Sequence, residues 1–154
     1  MFDLERFHIN AAAQADLALS LIDVRALSPA VFASVPDTER ARAIIKRTRF
    51  IHMPIWHPDV GLARLFKEHN AVMVIGVSDI LPLPPAEMAK RLARTAHMAS
   101  MVLHFGGQVR LASMARSETE LRNPLELMCI GERLGIDAGI VMKGLNAQAE
   151  ASSP

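Results

Sequence analysis

The feature that most constrains the fold is an unbroken apolar run near the middle of the chain. Residues 71–78, AVMVIGVS, contain no charged residue and are rich in β-branched side chains. A strand that is apolar on both faces is typical of a parallel sheet covered by helices. The run is far shorter than the stretch of about 18 apolar residues that marks a transmembrane helix. It therefore predicts a central strand of an α/β domain.

Strand and helix patterns alternate along most of the chain. Strands are predicted at 21–27, 49–53, 71–78 and 108–114, and helices at 3–20, 39–47, 60–69, 85–104, 124–134 and 138–149. Such alternation is typical of βαβ units and predicts a mostly parallel sheet. We expect a single (β/α) domain over residues 1–150, followed by a disordered tail, ASSP, at 151–154.

Composition limits the class of protein and its compartment. The 154 residues are 51% hydrophobic and 21% charged, which indicates a globular chain, and the formal net charge of +1 gives no global attraction to nucleic acid. The single cysteine, Cys129, excludes a disulfide framework, and its place in an apolar helical pattern predicts a buried structural thiol. The N-terminal sequence MFDLERFHIN has no signal-peptide pattern. A cytoplasmic protein that does not enter a membrane is expected.

Sequence patterns of common catalytic sites are missing. The six histidines form no metal-binding motif, and there is no phosphate-binding glycine loop and no GxSxG sequence. His52 and His57 could converge with Asp59 near the end of a strand. A polar loop is the favoured interpretation of these three residues, and a metal site is the alternative.

Polar residues follow two of the predicted strands. Ser78 and Asp79 come at the end of one strand and Ser113 at the end of another. In α/β folds, the carboxyl ends of the strands carry the functional sites. The same residue types also form turns and cap helices, and this is the favoured interpretation here.

Basic residues gather in three places along the chain. The first two groups are interpreted as solvated helix faces with ion pairs. They are Arg40, Arg42, Lys46, Arg47 and Arg49, and then Lys90, Arg91 and Arg94. The third group surrounds the segment RSETELRNPLELMCIGERLG at 116–135, and includes Arg110, Arg116, Arg122 and Arg133.

Local signals within the segment 116–135 predict a capped helix. Asn123 is a suitable N-cap, Pro124 suits the first helical position, and Glu126 stands where a capping-box carboxylate reaches back. Gly131 permits close packing, and Gly135 predicts a left-handed C-cap. Capping accounts for these residues, whereas Arg116 and Arg122 remain in the loop that precedes the helix.

The sequence RLASMARSETELRNPLELMCIGERLGID, residues 110–137, resembles ribonuclease P protein component 3 of archaea, the counterpart of the eukaryotic thirty-kilodalton subunit. The likeness extends over about residues 39–137 and includes RTRFIHMP and GLARLFKEHNAVMVIGVSDIL. The family commonly has glycine where this chain has Met114. The matched positions of the family motif are Ser113, Ala115, Arg116, Ser117, Glu120, Leu121, Arg122, Asn123, Pro124, Glu126, Leu127, Leu134 and Gly135.

This resemblance implies a fold and a function. The fold would be a partial or degenerate TIM-type (β/α) barrel of the polymerase-and-histidinol-phosphatase type. The chain would be a subunit of ribonuclease P, which removes the 5′ leader of precursor tRNA, and catalysis would belong to the RNA subunit with its magnesium ions. Its partners would be that RNA, precursor tRNA, protein component 2 and the other protein subunits. The resemblance implies no catalytic or metal-binding residue in this chain.

The resemblance also places a binding loop after the last predicted strand. The residues expected to contact RNA or a partner protein are Ser113, Arg116, Ser117, Arg122 and Asn123. Each arginine offers the planar donor fork that phosphate favours. The alternative for these two arginines is pairing with Glu118 and Glu120, which would only fix the loop.

Two other functions remain open at the level of sequence. One is a metal-dependent phosphoesterase of the same barrel type, which needs a cluster of histidine and aspartate ligands. The other is a non-catalytic half-barrel that forms a homodimer and so covers its open sheet edges.

Overall fold

The computed structural model describes residues 32–115, 120, 122 and 124–141. The helix predicted at 3–20, the strand predicted at 21–27 and the tail at 151–154 lie outside this part of the chain. The extent of the single domain therefore stays a prediction.

The described residues form a parallel sheet with helices between its strands. The strands are β1, Phe32–Ser34; β2, Phe50–His52; β3, Val72–Gly76; and β4, Gln108–Ala112. The helices are α1, Thr38–Ile44; α2, Val60–Glu68; α3, Pro85–His104; and α4, Pro124–Arg133. A 3₁₀ turn spans Val77–Asp79, and the backbone becomes helical again at residues 138–141.

The predicted alternation is confirmed within these residues, although several bounds differ. The helix predicted at 39–47 ends at Ile44, and the strand predicted at 108–114 ends at Ala112. Strand β1 is missing from the prediction because three residues before a proline give too short a pattern. The apolar run predicted as one strand at 71–78 ends as a strand at Gly76, and Val77–Asp79 turns away as a 3₁₀ helix. Helix α3 has the predicted bounds, and α4 differs from its prediction by one residue.

The strands follow one another in space in the same order as in sequence, β1-β2-β3-β4, and all neighbours are parallel. A doubly wound sheet reverses its order partway, whereas a (β/α) barrel does not. Because crossovers are right-handed, an unreversed order places the connecting helices on one face. The fold is consistent with part of a (β/α) barrel, and TIM-type closure stays a prediction.

Alternate strand residues point to opposite faces of the sheet. The face toward the helices is entirely apolar and belongs to the main hydrophobic core. Its strand residues are Ile51, Met73, Ile75, Val109 and Leu111, which pack with Phe66, Met98 and Val102 from the helices. The opposite face carries a row across all four strands, composed of Ser34, His52, Val74 and Arg110.

Capping residues define the starts and ends of the helices. Asp37 accepts from the Arg40 amide at 2.8 Å and caps α1, and Asp59 caps α2 in the same way through the Leu62 amide at 2.8 Å. Gly135 has φ of +71°, as predicted for a left-handed C-cap. The amide of residue 136 donates to the Gly131 carbonyl at 2.8 Å and completes a Schellman motif.

The prediction of a buried thiol at Cys129 is wrong, because this side chain is exposed. Helix α4 buries Leu127 and Gly131, and Leu134, directly after the helix, continues the same buried face at helical spacing. Cys129 is two residues from Leu127, and this separation rotates it away from that face. A Cβ on Gly131 would lie 2.7 Å from Val141 Cγ2, so the predicted close packing at this glycine is confirmed.

Candidate functional site

Three side chains from neighbouring strands form a hydrogen-bonded chain at the carboxyl ends of the strands. The hydroxyl of Ser34, the last residue of β1, lies 2.8 Å from Nδ1 of His52. Nε2 of His52, the last residue of β2, lies 2.8 Å from Oδ2 of Asp79, which follows β3. His52 is only 4% exposed, and the ring of Phe32 stacks on it at 6.3 Å between centroids. The ends of β1, β2 and β3 are thereby linked by side chains.

The chemistry of these groups fixes the direction of one hydrogen bond. An ionised carboxylate only accepts, so Nε2 of His52 donates to Asp79. The Ser34 hydroxyl can either donate to Nδ1 or accept from it, and the protonation of the ring decides which. The histidine is thus held in one orientation from both sides.

Gly76, the last residue of β3, makes room for this contact. A Cβ at this position would lie 2.9 Å from His52 Nε2 and 3.0 Å from Met114 Cγ, and it would overlap Asp79 Oδ2. Any larger residue would therefore push His52 and Asp79 apart. An isolated glycine inside a buried strand often marks such a close approach. This is the one signal in the sequence that could have indicated the contact.

The backbone near Asp79 is held by an arginine from α3. Nη1 of Arg91 donates to the carbonyl oxygens of Asp79 at 3.1 Å and of Pro54 at 3.4 Å. It therefore ties the loop after β2 to the turn after β3. The interpretation of Arg91 as part of a solvated helix face is wrong for this reason. Its neighbour Lys90 does behave as predicted, since it forms an exposed ion pair with Glu87 at 3.2 Å.

The end of β4 joins the same edge through Ser113. Its carbonyl accepts from the Ser78 amide at 2.9 Å, and its hydroxyl accepts from the Arg122 amide at 3.2 Å. Ser113 is fully buried, at 0% exposed. Its side chain therefore stabilises the loop after β4 through a buried hydrogen bond to the backbone. This agrees with the turn-forming interpretation of Ser78 and Ser113. A partner would reach this loop through other residues.

Backbone strain occurs where this loop leaves the strand. Met114 has φ of +52°, in the left-handed region that favours glycine. Its side chain is nevertheless buried, at 4% exposed. Glycine would adopt this conformation without steric cost.

Of the residues predicted to bind RNA or a partner, the structure describes Ser113 and Arg122. Arg116, Ser117 and Asn123 lie outside the described residues, as does Glu118. Arg122 is half-buried, and it lines an open groove of about 470 Å³. The groove is mostly apolar, and its other lining residues are Leu81, Leu125, Glu126, Cys129 and Ile130.

The possible convergence of His52 and His57 with Asp59, the alternative to a polar loop, is not found. His52 turns to Asp79 and Ser34, and His57 is exposed. Asp59 caps α2, and its two carboxylate oxygens accept from Arg42 Nη2 at 2.6 and 2.8 Å. Across the described ranges, no three histidine, cysteine, aspartate or glutamate side chains come together to hold a metal ion.

Asp59 has a shifted pKa. Partial burial by itself raises the pKa of this carboxyl, but the hydrogen bond from the Leu62 amide and the contact with Arg42 lower it more. The net pKa therefore lies below the ordinary value of 3.8. The carboxyl remains charged in the folded protein under mildly acidic conditions.

Within the described residues, no helix has the length and the apolar composition needed to cross a bilayer. Fold and edge together define an α/β protein with an unreversed parallel sheet and a polar network at the carboxyl ends of its strands. No known protein-family profile matches the sequence, and no curated protein matches it.

The fold is similar to that of a chain in a solved structure described as "cryo-EM structure of archaeal Ribonuclease P with mature tRNA". The TM-score is 0.69 and the sequence identity is 16%. The match covers 85% of this chain and 61% of that chain, so this chain spans about three fifths of its neighbour's length. At this identity the likeness shows a shared fold.

Proposed function

We propose that this chain is a protein subunit of ribonuclease P, acting in the removal of the 5′ leader from precursor tRNA. The observation that carries the proposal is the fold, which is similar over 85% of the chain to a chain of an archaeal ribonuclease P structure. The resemblance of residues 110–137 to archaeal protein component 3 is a separate argument for the same complex. The specific component is part of the proposal.

The carboxyl edge of the sheet suits a role in positioning. Its polar side chains are directed at one another and at the backbone, as in the contacts of Ser34, His52 and Asp79. They fix the loops, and above all the loop after β4, whose Arg122 amide is held by Ser113. In the proposed function, Arg116 and Arg122 of this loop bind RNA phosphate or the neighbouring protein component 2. Catalysis belongs to the RNA subunit and its magnesium ions.

A serine hydrolase is a second candidate, because Ser34, His52 and Asp79 are linked as a nucleophile, base and carboxylate would be. Such an enzyme also needs N–H donors for the oxyanion. The amide that follows Ser34, from Val35, already donates to the His52 carbonyl at 2.9 Å, and Pro36 has no N–H. The local backbone therefore favours a structural role for the chain of hydrogen bonds.

The direct test of the proposed function is capture of the complex. The full chain, carrying an affinity tag, is expressed in its source organism and purified, and the co-purified material is scored for ribonuclease P RNA and protein subunits. Enrichment of both over a tag-only control is expected. Clean recovery of the chain without that RNA and without those proteins would overturn the proposal.

A reconstituted holoenzyme tests the loop. Arg116→Ala plus Arg122→Ala is expected to lower cleavage of precursor tRNA and to flatten its dependence on salt, since phosphate contacts release counterions. The matched control is Arg94→Ala plus Arg133→Ala, which removes the same charge from exposed positions on α3 and α4. Equal activity and equal salt slope in the two variants would remove the phosphate role from the loop.

A further inference from the structure

The amino ends of the strands form a surface of different character from the loop just described. Because helices and strands alternate, α1, α2 and α3 all end at this edge, next to the starts of β2, β3 and β4. Five cations lie on these segments, and all are exposed except Arg49, which is half-buried. We call this set the amino-edge cations, and it comprises Lys46, Arg47, Arg49, Arg64 and Lys67.

Contacts between segments bring these cations onto one surface. Arg49 Nη1 donates to the carbonyl of Asn70 at 2.8 Å, which joins the start of β2 to the end of α2. The stem of Lys67 would lie 3.8 Å from a Cβ on Gly106, and the Arg64 guanidinium lies 5.1 Å from the centroid of the Phe105 ring. The ends of α2 and α3 are therefore adjacent, and Arg49 joins them to the start of β2. Lys46 and Arg47 stand on the same edge because they lie in the turn that leads into Arg49.

The carboxyl ends of helices carry partial negative charge, which could neutralise the cations beside them. The size of this negative charge must therefore be compared with the number of cations. Each helix carboxyl end carries roughly half a negative charge, so three ends carry about 1.5. Of the acidic residues on these segments, the described part of the chain shows one, Glu68, which is exposed. Five cations exceed one acid plus the three helix ends. A net positive surface remains, although the whole chain has a formal net charge of only +1.

Among the described residues, the amino edge shows no large exposed apolar side chain, and its surface chemistry favours one kind of partner. A protein interface usually has a buried apolar or aromatic centre. Each large apolar side chain that is exposed in the described residues lies at the opposite edge or at the start of a helix there. They are Ile55, Val60, Leu81 and Leu125. The amino edge offers separated cations, which suit a chain of phosphates. The side-chain amides of Asn70 and Gln108 lie on this edge and bind each other at 3.3 Å.

We infer that the amino edge binds the phosphate backbone of a nucleic acid through the amino-edge cations. This inference concerns a surface separate from the loop after β4 and does not require the proposed function. The two surfaces are separated by the length of a five-residue strand, about 17 Å. Since both would contact phosphate, one chain could hold two stretches of the same nucleic acid.

The test measures binding of the full, isolated chain to a fluorescently labelled single-stranded RNA of arbitrary sequence. The variant is Lys46→Ala, Arg47→Ala and Lys67→Ala, which leaves Arg49 and Arg64 in their observed contacts. Loss of three phosphate contacts is expected to flatten the slope of log affinity against log salt by about 2, at roughly 0.7 per contact on a single strand. A matched control removes three exposed cations elsewhere, by Arg40→Ala, Lys90→Ala and Arg94→Ala.

The control is expected to keep most of the wild-type affinity and slope. Equal losses in the two triple variants, or no loss in the first, would overturn the inference. So would competition by poly-glutamate as strong as competition by unlabelled RNA at equal charge, because that result indicates an acidic protein as partner. A milder variant, Lys46→Gln plus Lys67→Gln, repeats the test if the triple variant unfolds. Capture of ribonuclease P RNA is a separate experiment, so either proposal can fail alone.

Discussion

The two ends of the sheet use their polar groups in opposite ways. At the carboxyl ends, Ser34, His52 and Asp79 bind one another, and His52 is 4% exposed. At the amino ends, cations such as Lys46 and Lys67 extend into solvent. A buried polar group is costly to leave unpaired, whereas an exposed charge adds little to stability. The first arrangement therefore stabilises the fold, and the second is available for binding.

The largest expected effect comes from crowding the network at the carboxyl ends. Gly76→Ala places a methyl group against His52 and Asp79, so it should lower the free energy of unfolding by about 1–3 kcal/mol, the usual range for an overpacked site. The measurement is denaturant unfolding followed by circular dichroism.

Gly61→Ala is the control for this substitution. Its Cβ would lie 2.8 Å from Nη2 of Arg42, but that contact is with the exposed end of a flexible side chain. Because alanine favours the helix by up to about 1 kcal/mol over glycine, this variant should lose no stability. If Gly76→Ala is as stable as the wild type, the carboxyl ends are not closely packed, and they do not differ from the exposed amino ends in this respect.

The next effect compares Arg91, which binds the backbone beside the network, with Arg94 on the same helix. Arg91→Ala removes two hydrogen bonds to carbonyls that bind the loops together, and it should cost roughly 0.5–1.5 kcal/mol. Arg94→Ala, on the exposed side of α3, should stay within about 0.5 kcal/mol of the wild type. Thermal unfolding of the two variants side by side provides the measurement. If both arginines cost the same, Arg91 acts as an ordinary surface charge.

These contacts show which parts of the molecule the sequence can predict. Helix α3 and the left-handed Gly135 follow from local signals, namely helical periodicity, a proline at the start and a glycine past the end. The network does not, because His52 and Asp79 are 27 residues apart and meet only through the pairing of β2 with β3. Strand order and register decide such contacts, and neither is written in local periodicity.

The candidate site was predictable to a similar, partial extent. The carboxyl edge of the sheet and the turn-forming role of Ser113 follow from a strand that ends in a polar residue. The sequence did not predict the exposure of Cys129, because apolar neighbours in sequence do not show which face of α4 packs against the core. The possible convergence of His57 with Asp59 does not occur, since Asp59 pairs with Arg42 from a different helix, and the sequence gives no sign of that partner.

The smallest expected effect tests whether burial, rather than position at the carboxyl ends, determines how much a contact contributes to stability. The pair of Arg42 and Asp59 lies at the same edge as the network but is exposed, with 47% and 24% of the two side chains accessible. Asp59→Asn keeps a good N-cap for α2 and removes only the charge. It should therefore cost no more than about 1 kcal/mol at neutral pH, in the range of exposed ion pairs.

The pH dependence of the stability lost in Asp59→Asn tests whether the charge of this carboxyl is the cause. Partial burial raises the pKa of Asp59, but the Leu62 amide and Arg42 lower it further, so the folded-state pKa is below the ordinary 3.8. The charged carboxylate therefore stabilises the folded protein above the ordinary pKa, and this contribution disappears as pH falls through the lowered one. Unfolding free energies measured from about pH 6 down to about pH 2.5 should show the wild type approaching Asp59→Asn at the acidic end. Arg42→Ala should narrow the same gap at neutral pH, because it removes the partner charge. If the difference in unfolding free energy between wild type and Asp59→Asn does not depend on pH, the cost of the substitution belongs to the cap. If that difference is as large as the loss in Gly76→Ala, exposure does not separate the two kinds of contact.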